Sequence, residues 1–222
     1  MSLLQSIESR IAAACARVGR ARDEVLLVAV TKTRPLEEVR ALHAMGPADF
    51  AENRPQDARD RIPQLPADIR WHFIGHLQTN KAKYLAGLFQ WVHSVDRIDA
   101  AVALQRAWEK RAELPPLDAL LQFNISGEEQ KHGAGRDEAL EFLRAASKLD
   151  RLRVQGLMCM APYGEAAELS RPVFRGLRLL RDELREKTGL PLPHLSMGMT
   201  GDFEVAIEEG ATIVRIGTAL FE

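Results

Sequence analysis

Residues 26–35, LLVAVTKTRP, carry an apolar strand pattern into an amine, Lys32, flanked by Thr31 and Thr33. A lysine at a strand end has two readings. Its stem can pack while the ammonium reaches water, or its amine can be held for covalent chemistry with a carbonyl. Two other stretches bear on the choice. SMGMTGD (196–202) puts Ser196, Gly198, Thr200 and Gly201 just ahead of a helical run, and RIGTALF (215–221) adds Gly217 and Thr218. Glycines let backbone N–H groups approach a ligand, hydroxyls donate, and a helix start lends its positive end, which is the chemistry of phosphate binding. Either loop alone reads equally well as turn glycines with a helix cap. His72 and His76 are four apart, as in helical metal pairs, but they span a strand and a turn. No carboxylate or Cys completes a set along the chain, and no metal site is expected.

The elements that must position these residues follow a regular rhythm. Leu3, Leu4, Ile7, Ile11, Ala14 and Val18 predict a helix over 2–18, ended by Gly19. Strand signals follow at 25–31, 48–53, 71–75, 89–95, 117–124, 153–160, 194–198 and 212–217. Helical stretches separate them, over 35–45, 54–61, the NKAKYLAG run, 98–111, 137–147, 166–187 and FEVAIEEG. Strict β/α alternation predicts a parallel sheet. Eight units predict a closed (β/α)8 TIM-type barrel over residues 1–222 as one domain, with the N-terminal helix closing the ring where no helix follows the last strand. The rival is an open doubly wound sheet, but no G-x-G-x-x-G follows the first strand.

Composition narrows the class. The 222 residues are 46% hydrophobic and carry a formal net charge of −1, so nucleic acid and anionic membrane are not expected partners. Cys15 and Cys159 have no metal-ligand spacing, and no segment has the apolar length of a signal core or a membrane span. A reduced, cytoplasmic setting is expected.

In such a barrel the active site gathers at the C-terminal ends of the strands. There the sequence places Lys32; Glu52 and Asn53; Gly75, His76 and Gln78; Ser94 and Asp96; Asn124 and Ser126; Met158, Met160 and the Pro162–Tyr163 turn; and the two glycine loops. An amine across the mouth from a phosphate site suggests an imine with a phosphorylated aldehyde. Such an amine must shed its proton, helped by desolvation or a nearby cation. Arg215, inward from the last strand, is that cation or faces the ring of a bound cofactor.

VAVTKTRP, FAENRPQD, WHFIGHLQTNKAKYL, VHSVDR, QFNISGEEQKHG, GLMCMAP and LSMGMTGDFEVAIEEGATIVRIGTALF, in this order, resemble the pyridoxal phosphate homeostasis protein family over essentially the whole chain. That family's fold is similar to the N-terminal barrel of alanine racemase. The resemblance implies pyridoxal 5'-phosphate (PLP) held as a Schiff base on Lys32. It implies a phosphate bound by Ser196, Gly217, Thr218 and the backbone near Met199 and Thr200. It implies Arg215 at the pyridine nitrogen and a pocket lined by Asn53, His76 and Met160. Thr31 stands where the family often has Ser, Ala51 where Gly is common, and Arg34 where many members carry a second Lys. A guanidinium cannot take PLP by imine exchange; Lys131, in the GEEQKHGAG loop, reads either as a second amine or as an ordinary solvated loop lysine.

An arginine beside the ring nitrogen makes a shallow electron sink, and no second base pairs with Lys32; Tyr84 and Tyr163 are the only tyrosines. The resemblance therefore implies a carrier active in vitamin B6 homeostasis, expected as a monomer, with apo PLP-dependent enzymes as recipients. The rivals are a weak PLP-dependent amino-acid racemase and a cofactor-free Schiff-base aldolase on a sugar phosphate.

Overall fold

Residues 2–128, 132–162 and 166–222 are described by the structure, a computed structural model. Helix α1 (Leu3–Arg17) starts at Ser2, whose hydroxyl accepts from the Gln5 N–H at 3.2 Å while Gln5 returns a bond to the Ser2 N–H. This reciprocal cap fixes the first turn. The strands are β1 (Leu26–Val30), β2 (Asp49–Glu52), β3 (Arg70–Phe73), β4 (Trp91–Val95), β5 (Leu117–Gln122), β6 (Leu152–Met158), β7 (His194–Ser196) and β8 (Ile213–Ile216). Between them lie α2 (Leu36–Ala44), α3 (Pro55–Arg61), α4 (Ile98–Glu109), α5 (Ala139–Ala146), α6 (Arg171–Thr188) and α7 (Phe203–Glu208).

All pairings are parallel, in sequence order, and β8 returns to β1 to close the barrel. The open sheet is thereby excluded. Helix α1 packs on α7 and fills the eighth helical position of the outer ring, joined by Arg10–Glu204 (2.8 Å) and Arg17–Glu208 (2.7 Å). Two segments differ from the sequence expectation. The run after β3 forms a 3-10 helix, Thr79–Tyr84. Residues 167–170 form another 3-10 turn, and α6 proper begins with Arg171–Pro172, because Pro cannot donate within a helix but suits its first turn.

Period-two alternation divides the apolar residues into two cores. Leu27, Ala29, Phe50, Phe73, Val214 and Ile216 face outward under the helices. Val28, Ala51, Leu120, Met158 and Ile213 fill the barrel interior with Val30, Ile74 and Trp91. Lys32 continues the inward series of Val28 and Val30 past the end of β1.

One carboxylate ties α6 to the end of α7. Glu209, 5% exposed, is bonded by Arg175 (2.7 Å), Arg178 (3.1 Å) and Arg171 (3.2 Å). The Arg175 bond leads, burial opposes it, and together with Arg178 and Arg171 it holds Glu209 down to about 2. A carboxyl lowered on folding adds stability above its ordinary titration, and that stability fades as pH falls toward the folded value. Glu209→Gln should therefore cost on the order of 2 kcal/mol at pH 7. The gap from wild type should close as thermal melts are taken from pH 4.5 down toward 2.

Candidate functional site

Barrel closure places the end of β1 beside the end of β8. Val28 pairs with Arg215 and Ala29 with Ile216, and Gly217 lies against Val30, with the position of a Cβ 3.4 Å from its carbonyl oxygen. Lys32 is exposed at this seam, in a tight turn closed by Arg34 N–H to Thr31 O at 3.0 Å. Thr33 within the turn has φ +67°. A β-branched residue in the left-handed region is strained and persists only where its surroundings hold it.

The holding group was not read from the sequence. Thr31 is fully buried and donates to Glu52 Oε1 at 3.0 Å; Arg61 sits 3.5 Å from the same carboxylate and donates to Arg34 O at 2.6 Å. Burial pushes the Glu52 carboxyl up, opposed by Arg61 and Thr31. Arg34 stacks on Phe221 at 5.0 Å and pairs with Glu222 at 2.6 Å. It acts here as a clamp between the Lys32 turn and the C-terminus.

Arg215 is 4% exposed, inside the barrel. It donates to Ser196 Oγ at 2.6 Å and to Cys159 O at 3.1 Å. Among the described residues no carboxylate pairs with it. Burial pulls its pKa down, with Cys159 and Asp202 opposing.

The hydroxyl of Ser196 is already engaged. It lies between Arg215 and His93 Nδ1 (2.9 Å) and is fully buried. The Met199 N–H is likewise taken, by Asp202 Oδ1 at 2.7 Å. The N–H groups of Thr200 and Gly201 and the Thr200 hydroxyl have no hydrogen-bond partner among the described residues. Gly198, at φ +92°, brings this loop onto α7 so tightly that a Cβ would lie 2.6 Å from that of Ala206. Thr218 is exposed on the adjoining loop after β8.

Asn53, half-buried, and Met160, 44% exposed, stand on the rim from β2 and β6. His72 and His76 do not converge: His72 is buried in the barrel and His76 is exposed on the rim. His76 instead meets two residues that are distant in sequence. Its Nδ1 lies 3.4 Å from Asp96, and its ring stacks on His132 at 3.9 Å and 17°. Ligand-type atoms of the three lie within 4.8 Å of one another, so a carboxylate does join a histidine pair that the chain spacing did not reveal. Lone pairs in nearly parallel stacked rings cannot aim at one centre, and the trio forms a packed wall of the rim. Burial lowers the His76 pKa, as do His132 and Arg97, with Asp96 opposing. Lys131 and Tyr163 lie outside the described residues.

Chain-wide similarity agrees with this geometry. Residues 3–222 match the family model described as the alanine racemase N-terminal domain. A pyridoxal phosphate homeostasis protein of Aquifex aeolicus is 45% identical over 219 residues, covering 98% of this chain and 95% of that one. Another, from Pseudomonas aeruginosa, is 44% identical over 221 residues, covering 98% and 93%. The structure of PipY of Synechococcus elongatus with PLP bound superposes with a TM-score of 0.83 at 34% identity, covering 96% of this chain and 100% of that one. The fold and rim define a barrel of the alanine racemase N-terminal class. Within that class the chain belongs to the pyridoxal phosphate homeostasis protein family.

The rim also dictates one glycine. A Cβ on Gly75 would sit 2.0 Å from the Asn53 carbonyl oxygen, while Ser94 donates to the Gly75 carbonyl at 2.5 Å. Gly75→Ala should cost about 3 kcal/mol, the upper range of overpacking. That lowers the melting temperature by roughly 10 °C in a chain of this size. Gly201→Ala, with nothing within 4 Å, should melt like wild type.

Proposed function

We propose that this chain binds PLP at the C-terminal rim as one barrel unit over residues 1–222, with Lys32 as the covalent anchor, and works as a PLP carrier. The observation that carries the reading is Arg215, a buried guanidinium with no carboxylate among the described residues, beside the strand that ends at Lys32. A buried charge is costly unless compensated, and a cofactor with an acceptor nitrogen in its ring would take a further hydrogen bond from it. The PLP in PipY and the names of the relatives support the same ligand.

When bound, PLP supplies a reversible aldehyde link to an amine and an electron-accepting ring. The residues present fit that group. Lys32 offers an amine to solvent on a turn held by Glu52 and Arg61. Thr200, the Thr200 and Gly201 N–H groups, Gly217 and Thr218 offer phosphate donors. Ser196, Met199 and their bonded neighbours shape the cradle from behind. Asn53, His76 and Met160 would flank the ring. Arg215, which only donates, would face the ring nitrogen and disfavour its protonation, so a strong electron sink does not develop.

A carrier suits this arrangement better than a catalyst, with apo PLP-dependent enzymes as recipients and a monomeric, cytoplasmic protein as the working form. No helix among the described residues is long and apolar enough to cross a membrane.

The purified protein plus PLP should show a visible imine band, and borohydride should fix the added mass on Lys32. Lys32→Ala should lose the band and the label, and Thr200→Ala should bind PLP about tenfold more weakly, as expected for one lost charge-assisted bond. No band with the wild type would sink the reading and favour the aldolase. Useful exchange of an amino acid's α-proton with deuterated solvent would favour the racemase. The carrier should instead hand PLP to an apo-enzyme with negligible turnover of its own.

A further inference from the structure

A continuous line of side-chain hydrogen bonds crosses the barrel interior. Arg70, half exposed at the N-terminal mouth, donates to Asp49 Oδ2 at 2.5 Å. Asp49 Oδ1 lies 3.0 Å from His72 Nε2, His72 Nδ1 lies 2.9 Å from His93 Nε2, and His93 Nδ1 lies 2.9 Å from Ser196 Oγ. Ser196 Oγ then accepts from Arg215 at 2.6 Å. Asp49, His72, His93, Ser196 and Arg215 are all buried. The line joins β2, β3, β4, β7 and β8.

Chemistry at the two ends fixes its direction. A carboxylate only accepts and a guanidinium only donates. Asp49 therefore takes the His72 Nε2 proton, which leaves His72 Nδ1 to accept from His93 Nε2–H. That leaves His93 Nδ1 to accept the Ser196 hydroxyl proton, and Ser196 Oγ to accept from Arg215. The opposite direction needs a protonated Asp49 or a doubly protonated His72. Burial works to raise the Asp49 carboxyl, but bonds from His72 and Arg70 outweigh it and hold it low. Burial lowers both His72 and His93, the latter strongly with His72 and Arg215 adding to the effect. Burial of both rings favours their neutral forms, and the bonds at the two ends set the direction.

We propose that Asp49, His72 and His93 are positioning residues for Arg215, a polarity-locked strut from the opposite end of the barrel that aims the guanidinium at the ligand on the rim. This rests on the PLP reading above for the identity of that ligand. Without the strut, Ser196 is free to turn, and Arg215 keeps only the Cys159 carbonyl.

The test uses the full-length chain in two states. In cofactor-free protein, ring 15N spectra assigned with His72→Gln and His93→Gln should show both rings protonated at Nε2 only. Asp49→Asn, whose amide can also donate, should introduce Nδ1-protonated rings. A wild-type His93 carrying its proton on Nδ1 overturns the strut. In PLP-loaded protein, Asp49→Asn and His93→Gln should each shift the visible band and weaken PLP affinity about tenfold, the size of coupling within one hydrogen-bonded network. Arg215→Lys serves as the positive control. Variants that melt earlier but keep the wild-type band and affinity overturn the proposal, because a purely structural role moves only the melting temperature. A wild type that takes up no PLP removes the proposed function instead, and the nitrogen spectra still decide whether the strut exists.

Discussion

The interior is organised around keeping one guanidinium out of water. Moving a charge into a low-dielectric core costs several kcal/mol even after relaxation. Arg215 is compensated by hydrogen bonds to a hydroxyl and a carbonyl, with the nearest partners of that hydroxyl fixed in turn by histidines. The apolar interior residues Val28, Ala51, Leu120, Met158 and Ile213 leave little room for the side chain to move elsewhere. A polar line through an otherwise packed core is a high-stakes arrangement, since half-satisfied it is worse than apolar filling. Bonded step by step from Arg70 to Arg215, it ties the interior register of five strands together.

Closure transfers that constraint to the rim. The β1–β8 pairing places Lys32, Arg215 and the second glycine loop along one seam of the barrel. Outside the barrel a second set of charges does similar work on a wetter surface. Glu209 collects three arginines from α6, and α1 pairs with α7 through Glu204 and Glu208. These bonds seat the short helix behind the SMGMTGD loop, where packing at Gly198 leaves no slack.

Much of this was legible in the sequence because it is periodic. Alternating apolar residues in short runs, separated by helical spacing, determine a parallel barrel, and the inward parity of Lys32 follows from counting by two along β1. The boundaries that slipped were those set by hydrogen-bond geometry rather than hydrophobicity, as in the 3-10 run at Thr79–Tyr84. Long-range polar partners were not legible at all. Ser196 looked like a phosphate ligand because hydroxyl-plus-glycine is a good local signal; that its oxygen is shared by His93, 103 positions away, depends on the fold. The same holds for His76 with His132 and for Glu52 with Arg61, where nothing along the chain marks the pairing.

The turn that carries Lys32 is bonded from several sides. Thr33 occupies a strained left-handed conformation immediately after Lys32, and the turn survives because Thr31, Glu52 and Arg61 bond it from the buried side while Arg34 ties it to Glu222 and Phe221. Strain of this kind, costing roughly 1–3 kcal/mol, is retained where a side chain has to be held in one direction. Here that side chain follows the inward series of β1 to an exposed position at the barrel mouth, while Arg215 is bonded from within. On the proposed reading, an exposed amine on a bonded turn, one strand away from a buried cation, would suit reversible capture of an anionic aldehyde.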